Sequence, residues 1–246
     1  MLRLLVVLIL FKISMTAMAL GPIVFLHQNS APKFFPLDSG KKGLCNHIYE
    51  KIAFRLSHKN LNFQNHHAML PIKRILSMLE TGEGHIFCGA GKNPEREKLY
   101  IYSPTAIYEV SNVVVGHKDE MLTKFEMDYF LKNKVAVGAY FGTTSAKYLR
   151  SQIGDLAKDH FTNIEDALFL VNAKRLRFFY YHDLGLNHYV HDTKYSLQVM
   201  SPRFRTVPQW MIYSKKTPPA VIKAIDEVLH EMKDSGELQK LRNDFY

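Results

Sequence analysis

Cysteine is almost absent from this chain: two residues, Cys45 and Cys88, occur in 246, and tryptophan occurs once. So few thiols leave room for one bridge at most, and two separate buried thiols fit equally well. Catalytic signatures are missing too. The twelve histidines, His66-His67 and His182 among them, form no His-Glu-x-x-His, and there is no Gly-x-Ser-x-Gly elbow and no loop ending in Gly-Lys-Ser/Thr. After the first nineteen residues no apolar stretch is long enough to cross a bilayer. Acids are in deficit, 23 against 32 Lys and Arg, for a net charge of +9. The bases are scattered rather than gathered into a stripe, which points away from nucleic acid and toward an anionic small molecule or envelope surface.

What is present begins with MLRLLVVLILFKISMTAMA: a basic residue, a short apolar run, and small residues at Ala17 and Ala19 in the spacing of a cleavage site. This predicts a secretory signal peptide over residues 1–19 and a periplasmic product. Cleavage would remove Arg3 and Lys12 and no acid, so the charge falls from +9 to +7. No cysteine follows directly on the expected cleavage site, which argues against lipid attachment there.

The mature chain is organised around Thr81 to Pro104, TGEGHIFCGAGKNPEREKLYIYSP. A Leu- and Met-rich helix starting near Pro71 stops at Gly82, a strand runs from His85 to Cys88, and Gly89-x-Gly91, Asn93 and Arg96 follow. Glycines at a strand end leave backbone N–H groups open to a guest, and a guanidinium is a planar fork for a carboxylate; a plain turn with a surface arginine reads the same way in isolation. Upstream, strand Ile23–His27 leads into a Pro- and Ser-rich loop, which makes His27 and Asn29 candidates at a strand end. A helix carries Leu44, Ile48, Ile52 and Leu56, and a weak strand lies near Leu61 to Phe63.

Strand and helix alternate to about residue 108, which predicts a mostly parallel sheet with helices on its faces. The run Ile107 to Val115 reads as a strand leaving this unit, and the alternation then resumes. A short helix is expected near Met121 to Phe130, then a strand from Lys134, and Gly142-Thr143-Thr144 opening a helix whose free N–H groups favour an anion or serve as an ordinary cap. The strand LRFFYYHD ends at Asp183, a cap for the next loop or a partner for a ligand cation. The chain closes with strand QWMIYSK, a helix burying Val221, Ile222, Ile225, Val228, Leu229 and Met232, a stop at Gly236 and a short final helix.

This order of features resembles the periplasmic solute-binding proteins of ABC importers, specifically the family that binds polar amino acids (bacterial extracellular solute-binding proteins, family 3). Four stretches carry it: PIKRILSMLETGEGHIFCGAGKNPEREKLYIYSP, KVAVGAYFGTTSAKYL, RFFYYHD and QWMIYSKKTPPAVIKAIDEVLHEMKDSGELQKLRNDF. The resemblance implies an α/β fold of two lobes (the type II arrangement), each a mostly parallel sheet flanked by helices, joined by two crossover strands and closing by hinge bending. Lobe 1 would comprise residues 20–110 and 199–246, and lobe 2 residues 111–198. It also implies that Arg96 grips a ligand carboxylate, Asp183 takes its ammonium, and Gly142 and Thr143 form the second lobe's carboxylate turn. Gly89, Gly91, Asn93 and Asn29 complete the expected ligand set, although the family usually has Ser or Thr where Gly91 and Asn93 stand and an aromatic near Asn29. The expected function is capture of a small polar or zwitterionic solute by a monomer that presents it to a membrane permease or sensor, with no cofactor, no metal and no nucleic acid. An enzyme on the same scaffold, dehydratase-like or cell-wall associated, and a sensory domain are the alternatives.

Overall fold

Short apolar runs become strands here because β-branched and aromatic side chains suit a sheet covered on both faces. The computed structural model describes residues 21–122 and 125–245, so the expected signal peptide lies outside the described residues. The first half comprises β1 (Ile23–Gln28), α1 (Leu44–Arg55), β2 (Phe63–Leu70), α2 (Ile72–Thr81), β3 (Ile86–Ala90), α3 (Pro94–Leu99) and β4 (Ile101–His117). Then come α4 (Asp128–Lys132), β5 (Val137–Tyr140), α5 (Thr144–Ile153), β6 (Ala157–Phe161), α6 (Ile164–Asn172), β7 (Phe178–His182) and α7 (Asp183–Asp192). The strand β8 (Leu197–Val199) stays with the second half beside the far end of β4, and β9 (Arg205–Tyr213) returns to the first, followed by α8 (Pro219–Asp234) and α9 (Glu237–Asn243).

The strands run in the order β2-β1-β3-β9-β4-β7-β5-β6, with β8 beside β4. Around β1 and around β5 the pairing is parallel, whereas β4 and β9 are antiparallel to each other and to their outer neighbours. The seventeen residues of β4 reach both halves. It pairs with β9 from Ile101 to Asn112 and with β7 from Asn112 to Gly116, so Asn112 marks the passage.

Burial follows the same division. One apolar cluster draws on residues from Ile23 to Val110 and from Met211 to Leu241, joined by Leu184 at the start of α7. Two smaller clusters, on opposite faces of the sheet around β7, are built between Val113 and Met200. Helix α8 shows the logic: Pro218 and Pro219 start it, its apolar stripe is buried, and Gly236, at φ +75°, ends it in a conformation that suits glycine. Ile225, Leu229 and Met232 are fully buried, each contributing about 1.5–3 kcal/mol over an exposed position.

Several local expectations change. The weak strand near Phe63 is a full edge strand, β2, which among the described residues pairs with β1 alone. Arg96 stands in a helix rather than a turn, Asp183 opens α7 rather than ending a strand, and β6 joins the sheet beside β5. The expected helix over 121–130 is confined to Asp128–Lys132, with 123 and 124 outside the described residues.

Candidate functional site

The near wall of the cleft grows out of the end of β3. Gly89 has φ +84°, and a Cβ there would lie 2.1 Å from the Tyr108 hydroxyl oxygen, so only glycine fits. The Oδ1 of Asn93 then accepts a hydrogen bond from the Arg96 backbone N–H at 2.9 Å, and Pro94 follows it. This is an N-cap, and it starts α3 so that Arg96 lies in the first turn. The guanidinium, 6% exposed, donates to the Gly91 carbonyl at 3.2 Å and, across the cleft, to the Gly142 carbonyl at 3.0 Å.

The loop between β1 and α1 adds a second cation. The carbonyls of Pro32 and Lys33 accept from the backbone N–H groups of Leu44 and Cys45, and Gly43 permits this because a Cβ would lie 2.5 Å from both oxygens. A disulfide between Cys45 and Cys88 fastens that same helix start to the end of β3. Lys33 is thereby held inside, 4% exposed, its ammonium donating to Gln28 Oε1 and, at 3.3 Å, to the Gly89 carbonyl. It lies 4.8 Å from the centre of the Phe87 ring and 5.5 Å from that of Phe34. Burial, reinforced by Arg96, pushes its pKa down to about 7.

The far wall belongs to the second half. Thr143 caps α5, accepting from the Ala146 N–H at 3.0 Å, and Gly142, at φ +75°, turns its carbonyl to Arg96. His182 accepts from the Gly185 N–H at 2.9 Å; burial and Lys33 hold its pKa down at about 3, so the ring is neutral. The walls meet through Tyr140, which donates to the Asn29 carbonyl at 3.2 Å, and through Tyr181 and Ser30, whose hydroxyls lie 3.3 Å apart. Between them is a cavity of about 40 Å³, room for water rather than for a larger guest.

Gly89, Gly91, Arg96 and Thr143 line this cavity, and Gly142 touches it through Arg96. Asn93 supports Arg96 from behind, its buried Nδ2 without a hydrogen-bond partner among the described residues. Asn29 is exposed and takes part through its carbonyl alone; His27 is buried between Asn65 and Asn46 as a structural hydrogen-bonder. Asp183 departs most from expectation. Its Oδ1 accepts from the N–H groups of Ser111 and Leu184, both at 2.9 Å, and its Oδ2 is paired with Arg203, so the carboxylate does not line the cavity. Asp183 opens α7, where an acid binds free N–H groups, and Arg203 from the segment before β9 takes the remaining oxygen. Sequence reasoning missed Lys33, Gln28, Tyr181, Ser145 and Gln209 on the cavity wall and did not place His182 there. Lys33 alone carried a signal, a lone base inside Ala-Pro-Lys-Phe-Phe-Pro.

Two α/β halves joined by two crossing strands, with a guanidinium bridging the cleft, define the two-lobed binding-protein class. The chain belongs to the bacterial extracellular solute-binding proteins, family 3, whose model matches residues 23–246. No curated protein sequence matches it significantly. Among solved structures it is similar to a variant of the arginine-binding protein of T. maritima, with TM-score 0.76 and 19% identity, covering 92% of this chain and 95% of that one. The arginine-, lysine-, histidine-binding protein of Geobacillus stearothermophilus matches with TM-score 0.75 and 16% identity over 92% and 95%. An ancestral amino acid-binding protein, described as a precursor of cyclohexadienyl dehydratase, matches with TM-score 0.76 and 20% identity over 92% and 96%.

Proposed function

We propose that this chain is the periplasmic binding component of an ABC-type importer, exported by a cleaved signal peptide over residues 1–19. It captures a small polar solute between lobe 1 (20–110 and 199–246) and lobe 2 (111–198) and presents the closed form to a membrane permease. The observation that carries this reading is Arg96, which hydrogen-bonds a carbonyl of each wall, Gly91 and Gly142. A guest carboxylate arriving at that guanidinium would take over charge-assisted bonds in a place sheltered from water. Closure is then favoured by whatever difference in affinity the guest has for the closed over the open form.

The reading is of a binder rather than an enzyme. His182, the imidazole on the cavity wall, is held neutral with its Nδ1 engaged by a backbone N–H, which suits a structural acceptor better than a proton shuttle. Thermal-shift screening of amino acids, small peptides and organic acids tests the assignment. At least one compound is expected to raise the melting temperature of the wild type and to lose that effect in Arg96→Ala. A panel with no responder, or an unchanged response in Arg96→Ala, would overturn it.

A further inference from the structure

We propose that the guest is a small organic anion without an ammonium group, a dicarboxylate above all, held between Arg96 and Lys33. The inference rests on the reading of the cleft as a binding site and names what that site selects. Both cationic side chains line the same cavity, both are more than nine-tenths buried, and among the described residues no Asp or Glu lines it. The acids next in sequence to wall residues are engaged elsewhere. Asp183 is paired with Arg203 and two backbone N–H groups, and Glu95, beside Arg96 in sequence, is exposed and paired with Lys147.

The ammonium of a zwitterionic amino acid is best met by a carboxylate, and among the described residues this wall provides none. Its remaining polar contributors are hydroxyls, amides and a neutral imidazole, with Thr143, Ser145, Tyr181 and Gln209 among them. The partners of the Lys33 ammonium are carbonyl oxygens, those of Gln28 and Gly89, which leave its charge uncompensated. Burying a cation that way costs free energy unless an anion joins it. A second carboxylate supplies that anion, while a guest such as arginine would place a third cation beside two.

Isothermal titration at pH 6.5 of the full mature protein decides the matter, after stripping any bound solute by reversible unfolding. The probes are succinate and glutarate, acetate, glutamine, glutamate and arginine. Expected is tightest binding of a dicarboxylate, at least tenfold tighter than acetate, no detectable arginine binding, and at least a tenfold loss of dicarboxylate affinity in Lys33→Met. The wild-type ranking stands whether or not that variant folds, and circular dichroism checks the variant. A preference for glutamine or arginine, lost in Arg96→Ala, would overturn the anion assignment while leaving the binding-protein reading intact. No binding by any probe would overturn both.

Discussion

Replacing Lys33 by Met should make the ligand-free protein more stable, and more so in acid than in base. A lysine whose pKa falls from 10.5 to about 7 in the folded chain carries a charge-burial cost of about 5 kcal/mol below pH 7. Methionine removes that cost and fills the same slot against Phe34 and Phe87, but leaves both the Gly89 carbonyl and Gln28 Oε1 without their donor, at about 1–2 kcal/mol each. The net gain is about 1–3 kcal/mol at pH 6, or about 2–12 °C in melting temperature for a chain of this size. The sign with pH follows from proton binding. Between pH 7 and 10.5 the unfolded lysine holds its proton while the folded one has released it, so wild-type stability climbs through this window and the advantage of the variant shrinks. Among the described residues, the titratable groups facing Lys33 are Arg96, His182, Tyr108 and Tyr181, and none is a carboxylate. Thermal unfolding followed by circular dichroism from pH 6 to 10, with solute removed, measures the gap. A variant less stable than wild type at pH 6, or a gap that does not change with pH, would refute the argument.

Asp183→Asn should lower stability by about 1–2 kcal/mol, because the Arg203 pair is weakened while the acceptors for Ser111 and Leu184 persist. Solute affinity should change less than threefold; a hundredfold loss in titration would mean that this carboxylate meets the guest after all. In Gly91→Ala the new Cβ would come within 2.6 Å of Thr144 Oγ1 on the opposite wall. Denaturation midpoints should hardly move, since each lobe is intact, while affinity drops by about tenfold, some 1.4 kcal/mol, and recovers in Gly91→Ala/Thr144→Ala. Failure of the second change to restore binding would show that the contact does not govern closure.

The alternation of apolar runs and glycine-stopped helices made the two-half plan legible before any coordinates, because each element buries a continuous stripe that only one partner face can cover. Arg96 and Gly142 were legible for a similar reason, being tied to glycines whose turns are local. β2 was not: Phe63–Leu70 carries Gln, Asn and two His, and it becomes a strand through its backbone bonds to β1 at a sheet edge. The orientation of Asp183 depends on Arg203, a partner distant in sequence, and no local pattern encodes that meeting. Lys33 escaped notice because burial of a loop residue depends on where the loop returns, and here Gly43 and the Cys45–Cys88 bridge determine it.

Trp210 gives the protein an internal optical gauge. It follows Gln209 of the cavity wall, meets Tyr102 edge-on at 6.3 Å, and has the ammonium of Lys92, the neighbour of Gly91, 4.5 Å from its ring centre. A cation poised on an indole alters its emission, so any shift of the Gly91 segment on opening changes the signal. With a single tryptophan in the chain, that fluorescence comes from one place, and the rates of opening and shutting can be timed by stopped flow without attaching a dye.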